Sequence, residues 1–309
     1  MNLIKKIFSK ILQKIFKKSF DRKVFMMGTA HILNIRKNYD NIKRLEDVDY
    51  KIFSQNGEDG ILDYLLTCLK IDKPKFIEIG VGDYHESNTR FIFERTSCKG
   101  LIIDIIEDFK KKVSQNTKVW SGDLNILSKK IDSENFLPTI KEHDFKDNVD
   151  IFSIDVDGID YWILEKIPKK FSKIIVAEFN PYFGSELSIT VPNDPNFNRT
   201  NYHYSNLCFG ASLKSIIELL SKKGFIFLGT NLFRNNVFFV NEDFKDQLSI
   251  DFPDIKDLSK FTNANFRESR DINNNLTLIS PQKIINKIAD CNVVDLSNEM
   301  KEIKKISEI

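Results

Sequence analysis

The residues best suited to chemistry in this sequence are acids that follow short apolar runs. Asp155, Asp157 and Asp160 fall within six residues after Ile151-Phe152-Ser153-Ile154. Three uncompensated carboxylates cannot crowd together, because like charges raise one another's pKa; a shared proton, a neighbouring cation or a divalent metal resolves the conflict. The next apolar run ends Val176-Ala177-Glu178-Phe179-Asn180. If the two runs are adjacent parallel strands, about 4.8 Å apart, Asp155, Glu178 and Asn180 can share one ion. Oxygen-only ligands select Mg2+ or Mn2+ over zinc. In the competing expectation, Asp155 or Asp157 is a general base for a hydroxyl; in the plainest, these acids cap the helix that follows.

Further upstream, Phe76-Ile77-Glu78-Ile79 runs into Gly80-Val81-Gly82. Glycines at such a point let the chain bend sharply and let a ligand approach the backbone. A dinucleotide fingerprint needs a third glycine where His85 stands, which counts against a nicotinamide cofactor. Leu101-Ile102-Ile103 ends in Asp104, 24 residues after Gly80, where a carboxylate can accept hydrogen bonds from both hydroxyls of a ribose. Trp120-Ser121-Gly122-Asp123 reads as a third strand end, and Asp123 as an acceptor for an adenine amine or as a helix cap. His203 is a second candidate base, within the polar, aromatic stretch Asn198 to Tyr204. Tyr202 and Tyr204 suit stacking on a sugar ring. Arg267 and Arg270 suit clamping a phosphate or carboxylate of an acceptor, their rival role being surface pairs with Glu268 and Asp271.

The elements that must position these residues alternate along the chain. Strands are expected at 76–79, 101–103, 118–120, 151–154, 174–178, 225–229 and 237–240, and helices at 57–69, 88–94, 105–114, 161–167 and 213–221. Such alternation, with strands apolar on both faces, predicts a parallel or mostly parallel sheet between helical layers. Ligands of such sheets bind beyond the carboxyl ends of the strands, where the acids above fall. The stretch 185–206 is too long for an ordinary connection and is expected to form a lid or pocket loop.

The 309 residues, 41% hydrophobic and 29% charged, exclude collagen-like, disulfide-scaffold and wholly disordered classes. Cys68, Cys98, Cys208 and Cys291 are scattered, with no Cys-x-x-Cys and no histidine at finger spacing, so disulfide frameworks and structural zinc are not expected. Charge is uneven. Residues 1–23 carry eight Lys/Arg against Asp21 alone, leaving a net charge of −5 on the other 286 residues, which argues against a nucleic-acid partner. Within the arm, Leu3, Ile4, Ile7, Phe8, Ile11, Leu12, Ile15 and Phe16 repeat with helical spacing opposite lysines. This pattern fits neither a signal peptide nor a membrane span. It predicts a helix lying on an anionic membrane face, or else packed on the body or on a partner subunit.

The strings Phe53-Ser54-Gln55-Asn56-Gly57-Glu58-Asp59-Gly60, Phe76 to Gly82, Glu86-Ser87-Asn88-Thr89, Asp155 to Trp162 and Phe209-Gly210-Ala211-Ser212-Leu213 resemble the FkbM-type S-adenosylmethionine-dependent methyltransferases from about residue 50 to 280. The resemblance implies the class I methyltransferase fold: α/β, Rossmann-like, a seven-stranded mostly parallel sheet with helices on both faces and an antiparallel last hairpin. It implies that Glu78, Gly80 and Gly82 surround the methionine portion of S-adenosylmethionine, that Asp104 holds the ribose and Asp123 the adenine, and that Gln55, Asn88 and Thr89 add contacts. Family members build an acceptor pocket in the stretch holding His203, and several methylate sugar hydroxyls. The expected organisation is a basic helix over 1–23, a lead-in over 24–50, the catalytic domain over 51–282 and a helical tail over 283–309. The expected function is O-methylation of a free, nucleotide-linked or lipid-linked sugar for a surface polysaccharide such as a capsule, in the cytoplasm or against the inner membrane face. The alternatives are a nicotinamide-dependent sugar oxidoreductase and a catalytically silent assembly factor recruited to a membrane.

Overall fold

The computed structural model describes residues 2–263 and 269–309. Helix α1 (Asn2–Ile35) leads into α2 (Glu58–Cys68), β1 (Lys75–Ile79), α3 (Arg90–Thr96), β2 (Lys99–Asp104), α4 (Phe109–Asn116) and β3 (Asp123–Ser128). There follow α5 (Phe136–Glu142), β4 (Val149–Ile154), α6 (Asp160–Lys166), β5 (Ser172–Glu178), the short β6 (Ile189–Thr190), α7 (Arg199–Tyr202) and α8 (Leu213–Lys222). The chain ends with β7 (Phe225–Thr230), β8 (Asn236–Asn241), α9 (Ser259–Thr262), β9 (Ser269–Arg270), β10 (Leu276–Thr277), α10 (Pro281–Lys287), β11 (Asn292–Asp295) and β12 (Ile303–Lys305).

Seven strands form one sheet in the order β3-β2-β1-β4-β5-β8-β7. Pairs β3-β2, β2-β1, β1-β4 and β4-β5 are parallel, and β5-β8 and β8-β7 are antiparallel. This is the α/β architecture expected from the sequence, including the antiparallel final hairpin. Alternate residues of a strand point to opposite faces, and the core divides accordingly. Ile77, Leu101, Phe152 and Ile175 pack with α5, α6 and α8 on one face. Phe76, Ile102, Ile151 and Ile174 pack with α2, α3 and α4 on the other. Strands buried on both sides read as near-continuous apolar runs, which is why they were visible in the sequence.

Two expectations about elements are corrected. Residues 118–120 do not form a strand; Val119–Ser121 is a single 3-10 turn, and Trp120 is 81% exposed. The third strand is β3, five residues later, where Leu124 and Ile126 pack towards one core cluster and Leu127 towards the other. The tail is α-helical only through α10 and ends in a 3-10 turn at Ile306–Glu308; Val293 and Val294 lie in β11, which joins β6 and β12 in a three-stranded antiparallel sheet. Consecutive branched residues buried on both faces, Val293 in one core cluster and Val294 in another, favour strand over helix. The lead-in is helical to Ile35 and continues through two 3-10 turns.

The second half of α1 docks on the body. Asp21 pairs with Arg90 at 3.0 Å, and the Arg90 guanidinium lies over the Phe53 ring, 3.8 Å from its centroid. Ile32 packs with Ile52, Phe53 and Phe91. Phe8, Phe16 and Phe20, by contrast, are exposed. Among the described residues, no helix is long and apolar enough to cross a membrane.

Candidate functional site

The carboxyl ends of β1, β2, β3, β4 and β5 open on a cavity of about 690 Å³, beside which lies a smaller one of about 260 Å³. Gln55, Gly80, Gly82 and Asp155 line both. The glycine bend is built for this position. Gly80 has φ +80°, and a Cβ there would stand 1.5 Å from the Asp155 carbonyl oxygen, so only glycine lets β1 pass β4. Gly82 has φ +56°, and a Cβ there would meet no atom within 4 Å; its backbone faces open space that a ligand can enter. Asp104 braces the bend, with Oδ2 accepting from Gly82 N–H at 2.8 Å and Oδ1 accepting from Ile105 and Ile106 N–H at 2.7 and 3.1 Å. With one such bond on Oδ2, a lone pair remains there towards the larger cavity.

Gln55 is held at the cavity mouth by a rigid turn. Asp59 Oδ2 accepts from the N–H groups of Ile52, Phe53 and Ser54 at 2.7, 2.6 and 2.7 Å. Burial nevertheless pushes the Asp59 carboxyl up to about 6. Glu58 Oε1 accepts from the side-chain amides of Asn231 and Asn236. Thus much of the motif that carried the resemblance positions Gln55 rather than touching the cavity.

Glu78 has a similar supporting role. Its carboxylate accepts from Ser87 Oγ at 2.6 Å and from the N–H groups of Asn88 and Thr89 at 2.8 and 3.0 Å, with Thr89 Oγ1 also donating. Burial raises its pKa against these bonds. Glu78 therefore fastens the 87–89 segment, although it and Asn88 still line the smaller cavity. Thr89 is fully buried and lines neither cavity, so the expectation of a ligand contact there is corrected: its hydroxyl is used on Glu78 and Tyr84.

Asp123 is also corrected. It pairs with Lys99 at the amino-terminal ends of β3 and β2, across the sheet from the cavities. The true end of β3 brings Lys129, Lys130 and Ile131 to the cavity wall. Ile103, Ile105, Ile106 and Ile159 join Ile131 there, an apolar lining suited to the faces of a base. Asn236 was missed as well. Its Nδ2 donates to Glu58 at 2.7 Å, whereas its buried Oδ1 has no hydrogen-bond partner among the described residues, and the residue lines the smaller cavity. The only sequence signal was a polar residue at the start of a buried strand.

The acids at the ends of β4 and β5 separate into two groups. Asp155, Asp157 and Glu178 line the larger cavity and bring carboxylate oxygens within 4.8 Å of one another. Asp160 instead holds the loop, accepting from Val156 N–H at 2.8 Å and Gly158 N–H at 3.1 Å. Burial, followed by the charge of Glu178, pushes the Asp160 carboxyl up to about 7, so it is partly protonated near neutrality. Arg199 supplies a cation, donating to Asp157 Oδ1 at 2.8 Å. Asn180 is corrected as a metal ligand. Fully buried, its amide donates to the Leu207 and Phe209 carbonyls at 2.9 Å each, and its oxygen accepts from Tyr182 N–H. Asp157 takes the place expected for it beside Asp155 and Glu178.

Of the acceptor-side residues, His203 lines none of these cavities. It is buried against the carboxy-terminal sheet, with Asp290 Oδ1 3.6 Å from Nε2, and the expectation of a base at the strand ends is corrected. Tyr202 packs on Phe197 and donates its hydroxyl to the Asn292 carbonyl at 2.5 Å, so it frames the loop. Tyr204 and Arg270 line a further cavity of about 620 Å³. Thr200 and Asn206 connect it to a cavity of about 560 Å³, which in turn shares Asp157 and Arg199 with the strand-end site. Arg267 lies outside the described residues.

No family model matches the chain, nor does any curated protein. Among solved structures it is similar to the pyocyanin biosynthetic protein PhzM at 11% identity and a TM-score of 0.32, covering 57% of this chain and 53% of that one. It is similar to human N-acetylserotonin methyltransferase in complex with SAM at 18% identity and a TM-score of 0.32, covering 57% and 49%. An O-methyltransferase family protein from Burkholderia thailandensis matches at 10% identity and a TM-score of 0.33, covering 59% and 57%. The chain therefore spans about half the length of the solved structures it matches.

Proposed function

We propose that this chain is an S-adenosylmethionine-dependent O-methyltransferase of the FkbM type that acts on a sugar hydroxyl, free or linked to a nucleotide or lipid, in the making of a surface polysaccharide. The observation that carries the reading is the Gly80–Gly82 bend braced by Asp104, opening on both strand-end cavities. The residues present fit the donor. Asp104 Oδ2 offers a lone pair to ribose hydroxyls, the isoleucine lining suits adenine, and Gln55 with the partnerless Asn236 Oδ1 suits the polar methionine end. Bound there, the donor supplies an electrophilic methyl group on a sulfonium.

A sugar hydroxyl is a weak nucleophile until its proton is removed or polarised. Asp157 stands where it can accept that proton, at the junction between the strand-end cavity and the groove leading to Tyr204 and Arg270. Its exposed side chain can reach an acceptor, Arg199 holds one of its oxygens, and its backbone adopts φ +56°, a conformation costly for a residue with a Cβ. The length of the groove suits an acceptor larger than one sugar. Asp157→Asn is expected to lower turnover on nucleotide sugars and oligosaccharides by about 10²- to 10⁴-fold, with donor affinity measured by calorimetry unchanged. Unaltered turnover would remove Asp157 as the base, and a wild-type chain that binds neither the donor nor its demethylated product would remove the methyltransferase reading. A second reading, Mg2+ or Mn2+ on Asp155, Asp157 and Glu178, is favoured by the proximity of their oxygens. Turnover that survives a chelator rejects it.

The exposed phenylalanines and lysines of the arm support peripheral attachment to an anionic cytoplasmic membrane face, each basic residue near the surface contributing about 1 kcal/mol. The full chain is expected to float with phosphatidylserine vesicles and to release them at high salt. A chain beginning at Ser19, which keeps the Asp21–Arg90 pair, is expected to remain in the pellet fraction. Equal flotation of the two chains would reject attachment through the arm.

A further inference from the structure

His203, which its polar, aromatic stretch suggested as a base, is packed instead among thiols contributed by distant parts of the chain. Cys208 and Cys291 are both buried in the third core cluster, with Leu207, Ile284, Ile288 and Val293 around them. The His203 ring is only 8% exposed, and its Nε2 is buried with no hydrogen-bond partner among the described residues. A nitrogen of His203, a carboxylate oxygen of Asp290 and the Cys291 sulfur all lie within 4.8 Å of one another. The Cys208 thiol borders that of Cys291 within this cluster.

We propose that Cys291, His203 and Asp290, with Cys208 as the fourth ligand, bind one zinc ion that fastens the carboxy-terminal sheet to the wall of the acceptor groove. Nitrogen and sulfur donors select zinc over the hard cations suited to the strand-end acids. The ring is held by Ser205, whose N–H reaches Nδ1 at 3.4 Å and whose Oγ lies 2.6 Å from it and can accept the Nδ1 proton in the tautomer that frees the Nε2 lone pair beside Asp290. Such a hydrogen bond to the outer nitrogen is what holds ligating histidines in place. Ligand atoms around a tetrahedral zinc stand about 3.3 to 3.8 Å apart, so a small contraction brings His203, Asp290 and Cys291 into range. Asp290, largely exposed, completes the shell from the surface side. The ion would join the loop after α7 to the turn before β11, where Tyr202 already bonds the Asn292 carbonyl. Since Arg199 and Thr200 on α7 line the acceptor groove, the clamp would determine how firmly that wall is held.

The experiment uses the full chain, purified under reducing conditions, stripped with a chelator and titrated with Zn2+ against a chromophoric competitor. One equivalent per chain is expected, with an upward shift of the melting temperature, since a ligand that binds only the folded state stabilises it. Co2+ in place of zinc is expected to give a sulfur-to-cobalt charge-transfer band, a readout that needs no variant. Cys291→Ser and His203→Ala are expected to abolish stoichiometric binding, whereas Cys68→Ser, on the far side of the molecule's sheet, retains it. The wild-type cobalt spectrum decides the question if the first two variants fail to fold. No zinc uptake by the wild type, a cobalt spectrum without thiolate character, or full binding by folded Cys291→Ser overturns the proposal; so does a Cys208–Cys291 disulfide that forms in place of the metal under the same reducing conditions.

Discussion

Gly80→Ala is expected to destabilise the chain by about 4 kcal/mol or more, an effect reserved for a few mechanisms that include backbone strain and overpacking. Both operate here. The residue has φ +80°, which costs a residue with a Cβ about 1–2 kcal/mol, and the added carbon would lie 1.5 Å from one backbone atom of Asp155 and 2.5 Å from the next. No flexible side chain can give way. Gly80 N–H donates to Ile103 O at 3.0 Å and Asp155 N–H donates to Ile79 O at 3.0 Å, so relief would require breaking the ends of three central strands. Gly82→Ala is expected to behave differently, because no atom lies within 4 Å of its added carbon. It should cost stability only through its φ of +56°, about 1–2 kcal/mol, while weakening donor binding. Urea unfolding of the two variants checks this order, and a Gly80→Ala midpoint equal to wild type would show that the strand ends do not hold the bend in place.

Asp104→Ala is expected to weaken donor binding by about 10- to 100-fold. One hydrogen bond from a ribose hydroxyl to the lone pair left on this charged acceptor is worth about 1.5–3 kcal/mol, and 1.4 kcal/mol is a factor of ten in the dissociation constant. The same carboxylate holds the N–H groups of Gly82, Ile105 and Ile106, so its loss also loosens the bend that admits the donor. Asp104→Asn keeps one acceptor oxygen and is expected to lose less. Calorimetric titration with the donor and its demethylated product reads the effect. Affinity unchanged in Asp104→Ala would place the donor elsewhere, whatever the acceptor proves to be.

Residue type and local spacing determined much of this protein before any contact was known. Runs such as Ile151 to Ile154 were legible because a strand covered on both faces is apolar at most positions. Gly80, Gly82 and Asp104 were legible because a sharp bend and a strand-end acid are local features. Where two local patterns competed, tertiary structure decided: Val119 and Trp120 favour a strand by propensity, but Leu124, Ile126 and Leu127 offered the burial, and β3 formed there, reversing Asp123 to the other end of the sheet. Asn180 and Thr89 looked like free polar groups in the sequence, yet burial required their hydrogen bonds to be satisfied within the fold. His203 and Cys291 are 88 residues apart and share no spacing rule; only packing of the carboxy-terminal sheet against the groove wall brings them together. Periodicity and backbone conformation are local physics that a sequence can express, whereas the partner that neutralises an acid or faces a histidine is chosen by long-range packing.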